Sequence, residues 1–262
     1  MEATPVRLNS FPLFDSHLHI IDPRFPLIEN QGYLPPPFTV DDYSIRMRPY
    51  NVVGGAVVSG SFQGFDQQYL ESSLRALGPA FVGVTQIPMT TTDETIVALD
   101  AAGVRAVRFN LKRGGSEDVR HLDRLARRVH DLVGWHAELY VDARELTPLT
   151  ETLTRLPAVS IDHLGLSTEG LPTLLKLVER GVRVKATGFS RTDLNVSHAM
   201  RSIYAANPHA LMFGTDLPST RAPRPFEDGD FVTVIECLGD TAARRVLCDN
   251  ALEFYRCDEG NR

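Results

Sequence analysis

Two histidines stand two positions apart in Phe14-Asp15-Ser16-His17-Leu18-His19-Ile20, a run with the character of a β-strand. In a strand, residues i and i+2 project from the same face. His17 and His19 are therefore expected side by side, able to share one metal ion, one water or one substrate oxygen. Leu18 and Ile20 then turn into the layer behind. An isolated pair of this kind is more often chance, or two hydrogen-bonded core histidines, because a metal centre needs ligands from elsewhere in the chain.

Other chemistry-bearing residues gather at the ends of strand-like runs. Ser61 follows the second run, Arg108 to Arg113 the fourth, and Lys185 to Arg191 the seventh, while the eighth ends Gly214-Thr215-Asp216. The fifth carries His136, Glu138 and Tyr140, and the sixth ends Asp162-His163. Arg105 and Arg108 are an odd number of positions apart, so a regular strand sends them to opposite faces. Arg108, nearer the C-terminal end, is the better site candidate. Alternation turns Asp162 away from His163, which favours a structural role for Asp162. It leaves open whether His136 and Glu138 face inward. Lys185 either runs along a wall or pairs with a buried carboxylate. Asp216, closing an apolar strand, is the best carboxylate candidate, set against an N-cap or loop anchor.

Strand and helix patterns alternate from end to end. Strands are expected at 14–20, 52–58, 81–85, 104–109, 135–141, 159–163, 182–186 and 211–216. Helices are expected at 66–77, 92–102, 119–132, 148–156, 171–180 and 194–206, with two more finishing the chain at 227–238 and 241–255. The 119–132 helix is strongly amphipathic, with Leu122, Leu125, Val129 and Leu132 on one stripe. Thr39 reads as an N-cap with Asp42 three residues on. Residues 22–38 hold Pro23, Pro26, Pro35, Pro36 and Pro37 and cannot form one regular element. A loop this long in a compact domain is usually functional, and it is expected to cap the site. Eight βα units in 262 residues point to an α/β fold, a (β/α)8 barrel built as a single domain over 1–262 with C-terminal helices. The rival is a doubly wound open sheet, weakened because no G-x-G-x-x-G follows the first strand. In a barrel, the polar strand ends would converge on one rim.

Composition narrows the class. Hydrophobic residues make up 43% and charged residues 23%, values of an ordinary globular protein. The net charge of -6 argues against a nucleic-acid surface. No apolar run is long enough to span a membrane. Met1-Glu2-Ala3-Thr4-Pro5 has no secretory pattern. Cys237, Cys248 and Cys257 lack metal-like spacing and read as reduced thiols of a cytoplasmic protein. Monomer and homo-oligomer are both open.

Asp15-Ser16-His17-Leu18-His19, Asp162-His163-Leu164-Gly165 and Gly214-Thr215-Asp216-Leu217-Pro218 resemble the amidohydrolase superfamily. The nearer likeness is to its lactonase branch, which includes 2-pyrone-4,6-dicarboxylate and sugar-acid lactonases. Val107-Arg108-Phe109-Asn110-Leu111, Gly134-Trp135-His136 and Asp249-Asn250-Ala251 extend the likeness along the chain. The resemblance implies a hydrolase that opens a carboxylated lactone, of the kind met in aromatic compound catabolism. His17, His19 and His163 would surround the lactone carbonyl and Asp216 would be the general base. Arg108, Arg113 and Arg191 would bind substrate carboxylates, with Ser61, Tyr33 and Tyr140 as hydrogen-bonding contacts. Two places depart from the branch: Leu166 stands where an arginine is usual, and Asp216-Leu217-Pro218-Ser219 replaces Asp-Trp-Pro-His. Both weaken the pyrone dicarboxylate as substrate more than they weaken lactone hydrolysis.

Lactone hydrolysis needs an activated water, a stabilised oxyanion and a proton for the leaving oxygen. Histidines can donate to the oxyanion, and arginine forks match carboxylates. The same His17, His19, His163 and Asp216 could instead hold one divalent metal, zinc or manganese, with a bound water. The arginine-rich rim favours the metal-free reading. Two alternatives remain: a metal-dependent decarboxylase of an aromatic or unsaturated acid, and a barrel that binds an acid without turning it over. The decarboxylases usually add a catalytic histidine where the seventh strand here has Lys185 and Thr187.

Overall fold

Runs such as Val104-Arg105-Ala106-Val107-Arg108-Phe109-Asn110 are β-rich and nearly all buried, the pattern of strands covered on both faces. The computed structural model describes residues 7–257, so the Met1–Pro5 stretch lies outside the described residues. It contains eight such strands: β1 Pro12–Leu18, β2 Asn51–Val58, β3 Phe81–Thr85, β4 Val104–Asn110, β5 His136–Tyr140, β6 Val159–Ile161, β7 Arg183–Ala186 and β8 Leu211–Phe213. All neighbouring pairs are parallel and the order follows the chain, β1 to β8. Helices α1 Val40–Met47, α2 Gln68–Leu77, α3 Asp93–Ala101, α4 Leu122–Val133, α5 Thr150–Arg155, α6 Leu171–Val178 and α7 Val196–Ala206 lie between successive strands. Three more, α8 Asp228–Leu238, α9 Asp240–Arg244 and α10 Asn250–Phe254, follow β8. This is a TIM barrel, as the βα count anticipates.

No regular ladder joins β8 to β1. The seam is closed just beyond the strand ends, where Asp216 N–H donates to His17 O at 2.7 Å and His19 N–H to Leu217 O at 2.7 Å. Asp15 reinforces it from outside the lumen. Its carboxylate accepts from Thr215 N–H (2.8 Å), the Thr215 hydroxyl (2.7 Å) and the Tyr43 hydroxyl of α1 (3.1 Å).

The lumen is layered. At its N-terminal end Phe14, Ala56, Val82 and Met212 pack with Ala251 and Tyr255, and the Tyr255 ring stacks on Phe14 at 5.5 Å. The segment after α9 thus plugs the barrel floor. Charged groups occupy the middle, and the C-terminal rim carries a pocket.

Several boundaries differ from expectation. The expected 241–255 helix is broken into α9, a π turn at Arg245–Asp249 and α10. In α4, Leu122, Leu125, Ala126 and Val129 are buried but Leu132 is exposed, because Val133 continues the a/d-like spacing and Leu132 falls off the stripe. Thr39 and Asp42 form the expected capping box of α1. Residues 22–38 contain no helix or regular strand, and two isolated bridges, Ile21 with Phe38 and Asn30 with Tyr33, hold them.

Candidate active site

His17 and His19 reach the lumen through a bulge. Asp15 pairs with Gly55 and Leu18 with Val57, three steps on β1 against two on β2. The extra residue turns Asp15 outward to the seam, while both imidazoles face inward, 5.0 Å apart and nearly perpendicular. Their outer nitrogens are already engaged. His19 Nδ1 lies 2.7 Å from Val58 O, an obligate acceptor, so Nδ1 carries the proton. His17 Nδ1 lies 3.3 Å from an Asp162 carboxylate oxygen and 3.4 Å from Lys185 Nζ; the nearer carboxylate favours the proton on Nδ1. Each neutral ring therefore presents an Nε2 lone pair to the site.

The third acceptor at that point is Asp216. β8 ends at Phe213, and Asp216 adopts a left-handed conformation (φ 61°), which costs a non-glycine residue on the order of 1 kcal/mol. The turn aims the carboxylate back over the lumen. Arg191 Nε donates to Oδ2 at 2.7 Å, while Oδ1 has no hydrogen-bond partner and lies 3.9 Å from His17 Nε2 and 3.7 Å from His19 Nε2. Burial pushes the Asp216 carboxyl up, but the opposing charges, Arg191 first among them, hold the group well below the usual carboxylate range. Three buried lone pairs, His17 Nε2, His19 Nε2 and Asp216 Oδ1, thus converge with no donor between them. Such a set requires an electropositive guest: the hydrogens of a water, or a cation.

His163 arrives by a break in strand geometry. β6 ends at Ile161, and His163 and Leu164 are both left-handed (φ 53° and 54°). Strict alternation, which sends Asp162 and His163 to opposite faces, does not survive that turn. Asp162 faces His17 inside the lumen, and the His163 ring sits 5.0 Å from His17 and 4.9 Å from Tyr140. His163 Nδ1 is 2.7 Å from the Thr187 hydroxyl. Burial lowers its pKa from 6.5 to about 4, with Asp216 opposing. A histidine kept neutral by the fold contributes stability that is present above pH 6.5 and lost as pH falls through 4. The expected loss over that window is on the order of 3 kcal/mol. His163→Asn should flatten this part of the melting-temperature profile; an unchanged slope between pH 6.5 and 4 would refute the assignment.

Below the site lies a buried charge layer. Lys185 Nζ is 2.5 Å from Glu138 Oε2, and Arg108 Nη2 is 2.7 Å from Asp162 Oδ2. Glu138 faces inward, as does His136, whose ring packs on Phe254 and Tyr255 at the floor. Lys185 therefore pairs with a buried carboxylate rather than running along the wall. Asp162 is both a structural anchor for Arg108 and the group that orients His17.

Above the site is a cavity of about 360 Å³ lined by His19, His163, Ser61, Tyr140 and four arginines, Arg108, Arg113, Arg191 and Arg221. No carboxylate is among its lining residues. Arg108 and Arg191 are spent on Asp162 and Asp216, so their availability to a ligand differs from that of Arg113 and Arg221. Tyr33 does not line the cavity. Its ring lies under the Arg221 guanidinium at 4.5 Å, so its contact is a π face rather than the expected hydroxyl. Leu166 and Ser219 do not line it either, and the Ser219 hydroxyl accepts from Phe226 N–H.

Two residues of the site escape the sequence reading. Arg221 lies beyond the Asp-Leu-Pro motif, five residues after Asp216, and the signal for it is its place in the loop after β8. Asn30, in the Pro-rich loop, links three rim loops. Its amide donates to Arg113 O at 3.1 Å, and its Oδ1 accepts from Ser61 Oγ at 3.1 Å and Arg221 Nη2 at 3.2 Å. The loop thus caps the rim through an amide that polar, proline-rich composition does not distinguish.

Comparison with known proteins identifies the family of this barrel. A curated relative from Comamonas testosteroni, named 2-pyrone-4,6-dicarboxylate hydrolase, is 25% identical over 94% of this chain and 90% of its own length. A D-galactarolactone isomerase from Agrobacterium fabrum is 26% identical over 92% and 90%. The crystal structure of a probable 2-pyrone-4,6-dicarboxylic acid hydrolase from Acinetobacter baumannii, with citric acid bound, shares the fold with a TM-score of 0.80, at 23% identity over 93% of this chain and 99% of that one. The model of the amidohydrolase family matches residues 14–257, and with the strand-end histidines and Asp216 in place the chain belongs to that family.

Proposed function

We propose that this protein is a lactonase-type hydrolase that opens the ring of a carboxylated lactone. The observation that carries the reading is the convergence of His17 Nε2, His19 Nε2 and Asp216 Oδ1 beneath an arginine-lined, carboxylate-free cavity. One water can donate its two hydrogens to Asp216 Oδ1 and to one of the two imidazole Nε2 atoms, with its own lone pair turned up toward the cavity. The arginines suit an anionic substrate. Relatives named for a pyrone dicarboxylate and a sugar-acid lactone support the class of substrate.

In the reaction, the water oxygen forms a bond to the lactone carbonyl carbon as Asp216 takes a proton from it. The carbonyl π electrons move to oxygen. With the Thr187 hydroxyl donating to Nδ1, His163 carries its proton on Nε2 and donates to that oxyanion. Collapse breaks the ring C–O bond, and the leaving oxygen takes the proton held by Asp216. The products are an alcohol or enol and a carboxylic acid on one open chain, and the new acid releases its proton to solvent as the carboxylate. His17 and His19, with protons fixed on Nδ1, accept from water rather than donate to the carbonyl, so the donor role expected of all three histidines falls to His163.

The same three atoms fit a divalent metal: two imidazole Nε2 and one carboxylate oxygen would hold it, and it would supply a bound water of lowered pKa. His163 is not in that set. Its ligand atom groups with His17 and Asp162 instead. Arg191 already neutralises Asp216, which supports activation without an ion. The decarboxylase reading loses support because Lys185 is committed to Glu138 below the site and Thr187 to His163. No helix among the described residues is long and apolar enough to cross a membrane. Cytoplasmic placement accords with the thiols of Cys237 and Cys248.

The test is acid release, followed by a pH indicator, over carboxylated pyrones, muconolactones and sugar-acid lactones, with and without a chelator. Hydrolysis that survives chelation is expected. Hydrolysis lost on chelation and restored by zinc or manganese would make His17, His19 and Asp216 metal ligands. Carbon dioxide release, or no reaction with any lactone, would overturn the assignment.

A further inference from the structure

Asn110 closes β4 two positions after Arg108, so both side chains turn to the lumen. It stands opposite Tyr140 of β5, one tier above Arg108 and Glu138. Most of its polar groups are spent on the turn that follows. Asn110 N–H donates to Ser116 Oγ at 2.8 Å, its carbonyl accepts from Gly114 N–H at 2.8 Å, and its Oδ1 accepts from Arg113 N–H at 2.9 Å. The last bond fixes which end of the amide is oxygen. Only Nδ2 is left. It has no partner among the described residues, and the buried side chain lines the cavity. A donor placed there can meet only an acceptor on a guest.

Ser61, on the same cavity, has the opposite polarity. Its hydroxyl donates to Asn30 Oδ1 at 3.1 Å. The Asn30 amide cannot be turned round, because its Nδ2 donates to Arg113 O and Arg221 donates to its Oδ1. The Ser61 hydrogen is therefore committed, and Ser61 Oγ offers the cavity a lone pair. The two loops that carry these groups are locked together. A Cβ at Gly115 would lie 2.6 Å from Ser61 O, so only glycine lets the loop after β4 come so close. The buried Gln86 Nε2 lies 3.2 Å from Gly60 O, 2.9 Å from Gly64 O and 3.3 Å from Gly115 O, and ties the Ser61 loop to the Asn110 turn. The cavity thus holds one neutral donor and one neutral acceptor, each fixed in polarity.

We propose that Asn110 Nδ2 and Ser61 Oγ act as a pair that recognises one free hydroxyl on the substrate ring. A hydroxyl accepts from Asn110 and donates to Ser61 at once. A carboxylate or carbonyl edge can only accept, and it would set its lone pairs against those of Ser61. The proposal rests on the reading of this cavity as the substrate site and adds one functional group to the substrate. Neither residue is charged, so the pair sorts ring acids of equal charge.

The test uses inert ring acids, so it does not depend on turnover. Benzoate and its 3- and 4-hydroxy and 3- and 4-amino derivatives are titrated calorimetrically into the wild-type protein, Asn110→Asp and Ser61→Ala. The better hydroxybenzoate should bind the wild type about 10-fold more tightly than benzoate, as two neutral hydrogen bonds allow. An aminobenzoate, whose uncharged nitrogen is a poor acceptor, should gain less. Asn110→Asp keeps an oxygen for Arg113 N–H but replaces the free donor with an acceptor. In that variant the aminobenzoate, with two hydrogens to give, should overtake the hydroxybenzoate. The added negative charge acts on every probe alike and cancels from the ratio. Ser61→Ala should cut the hydroxyl preference to about two- or three-fold. Equal binding of hydroxybenzoate and benzoate by the wild type, binding of no probe, or no reversal in Asn110→Asp would overturn the proposal. Melting curves identify a variant that fails to fold, and Ser61→Ala carries the test if Asn110→Asp does so. A hydroxyl preference in a protein that hydrolyses no lactone would leave the pair standing and remove the lactonase reading. Lactone hydrolysis with equal binding of the probes would do the reverse.

Discussion

Asp216→Asn should reduce kcat for lactone hydrolysis by about 1,000-fold, within the range for loss of a positioned general base, while substrate binding changes little. The amide keeps the shape of the carboxylate. Its oxygen can still accept from Arg191 Nε, which now lies 2.7 Å from Oδ2. Asparagine also tolerates the left-handed backbone at this position better than most residues. What the variant loses is the third lone pair and the charge that draws a proton from water. The NH2 group would point at His17 and His19 Nε2 and offer them hydrogen bonds, displacing the water they share. A KM within a few-fold of wild type, with kcat collapsed, separates this from misfolding. Turnover near the wild-type rate would remove Asp216 from the mechanism.

The largest effect on stability is expected from Lys185→Met. Burial pushes the Glu138 carboxyl up to about 7, with Asp162 adding to the rise and Lys185 opposing it. Removing the ammonium leaves a fully buried carboxylate beside Asp162. Breaking one side of such a pair typically costs about 3–5 kcal/mol. In a domain of this size that corresponds to a fall of roughly 10 °C in melting temperature. Adding Glu138→Gln removes the stranded charge and should recover much of the loss. Chemical denaturation of the single and double variants checks this. A double variant no more stable than Lys185→Met would show that the ammonium acts through something other than Glu138.

The barrel itself was legible in the sequence because eight apolar runs alternate with helix patterns, and parallel strands leave little polar surface to confuse the signal. The lumen-facing histidines were legible for the same reason: a period of two puts His17 and His19 on one face. The failures occur where a strand stops being a strand. His163 sits beyond the end of β6 in a left-handed turn, so alternation misplaced Asp162 relative to it. The bulge at Asp15–Leu18 resets β1 in the same way, and only the register with β2 reveals it. Arg221 and Asn30 were illegible for a different reason. Each depends on loops that are far apart in sequence, 191 positions in their own contact, and no local pattern encodes such a meeting. Tyr33 lies outside the cavity lining, under Arg221, and the chemistry of its contact belongs to a ring face that sequence does not orient.

The Asp15 clasp carries a consequence for synthesis of the chain. It joins the first strand to residues 200 positions later, and His17 and Asp216 are brought together only by the same closure. A nascent chain emerging from the ribosome can pair β1 with β2, and each strand with the next, as it appears. It cannot assemble the three-acceptor site until β8 has been delivered and docked. The two halves of the candidate site thus sit at opposite ends of the production line. A circular permutant opened in a loop far from the seam, such as the one between α4 and β5, would make β8 and β1 neighbours in synthesis and bring the site together first.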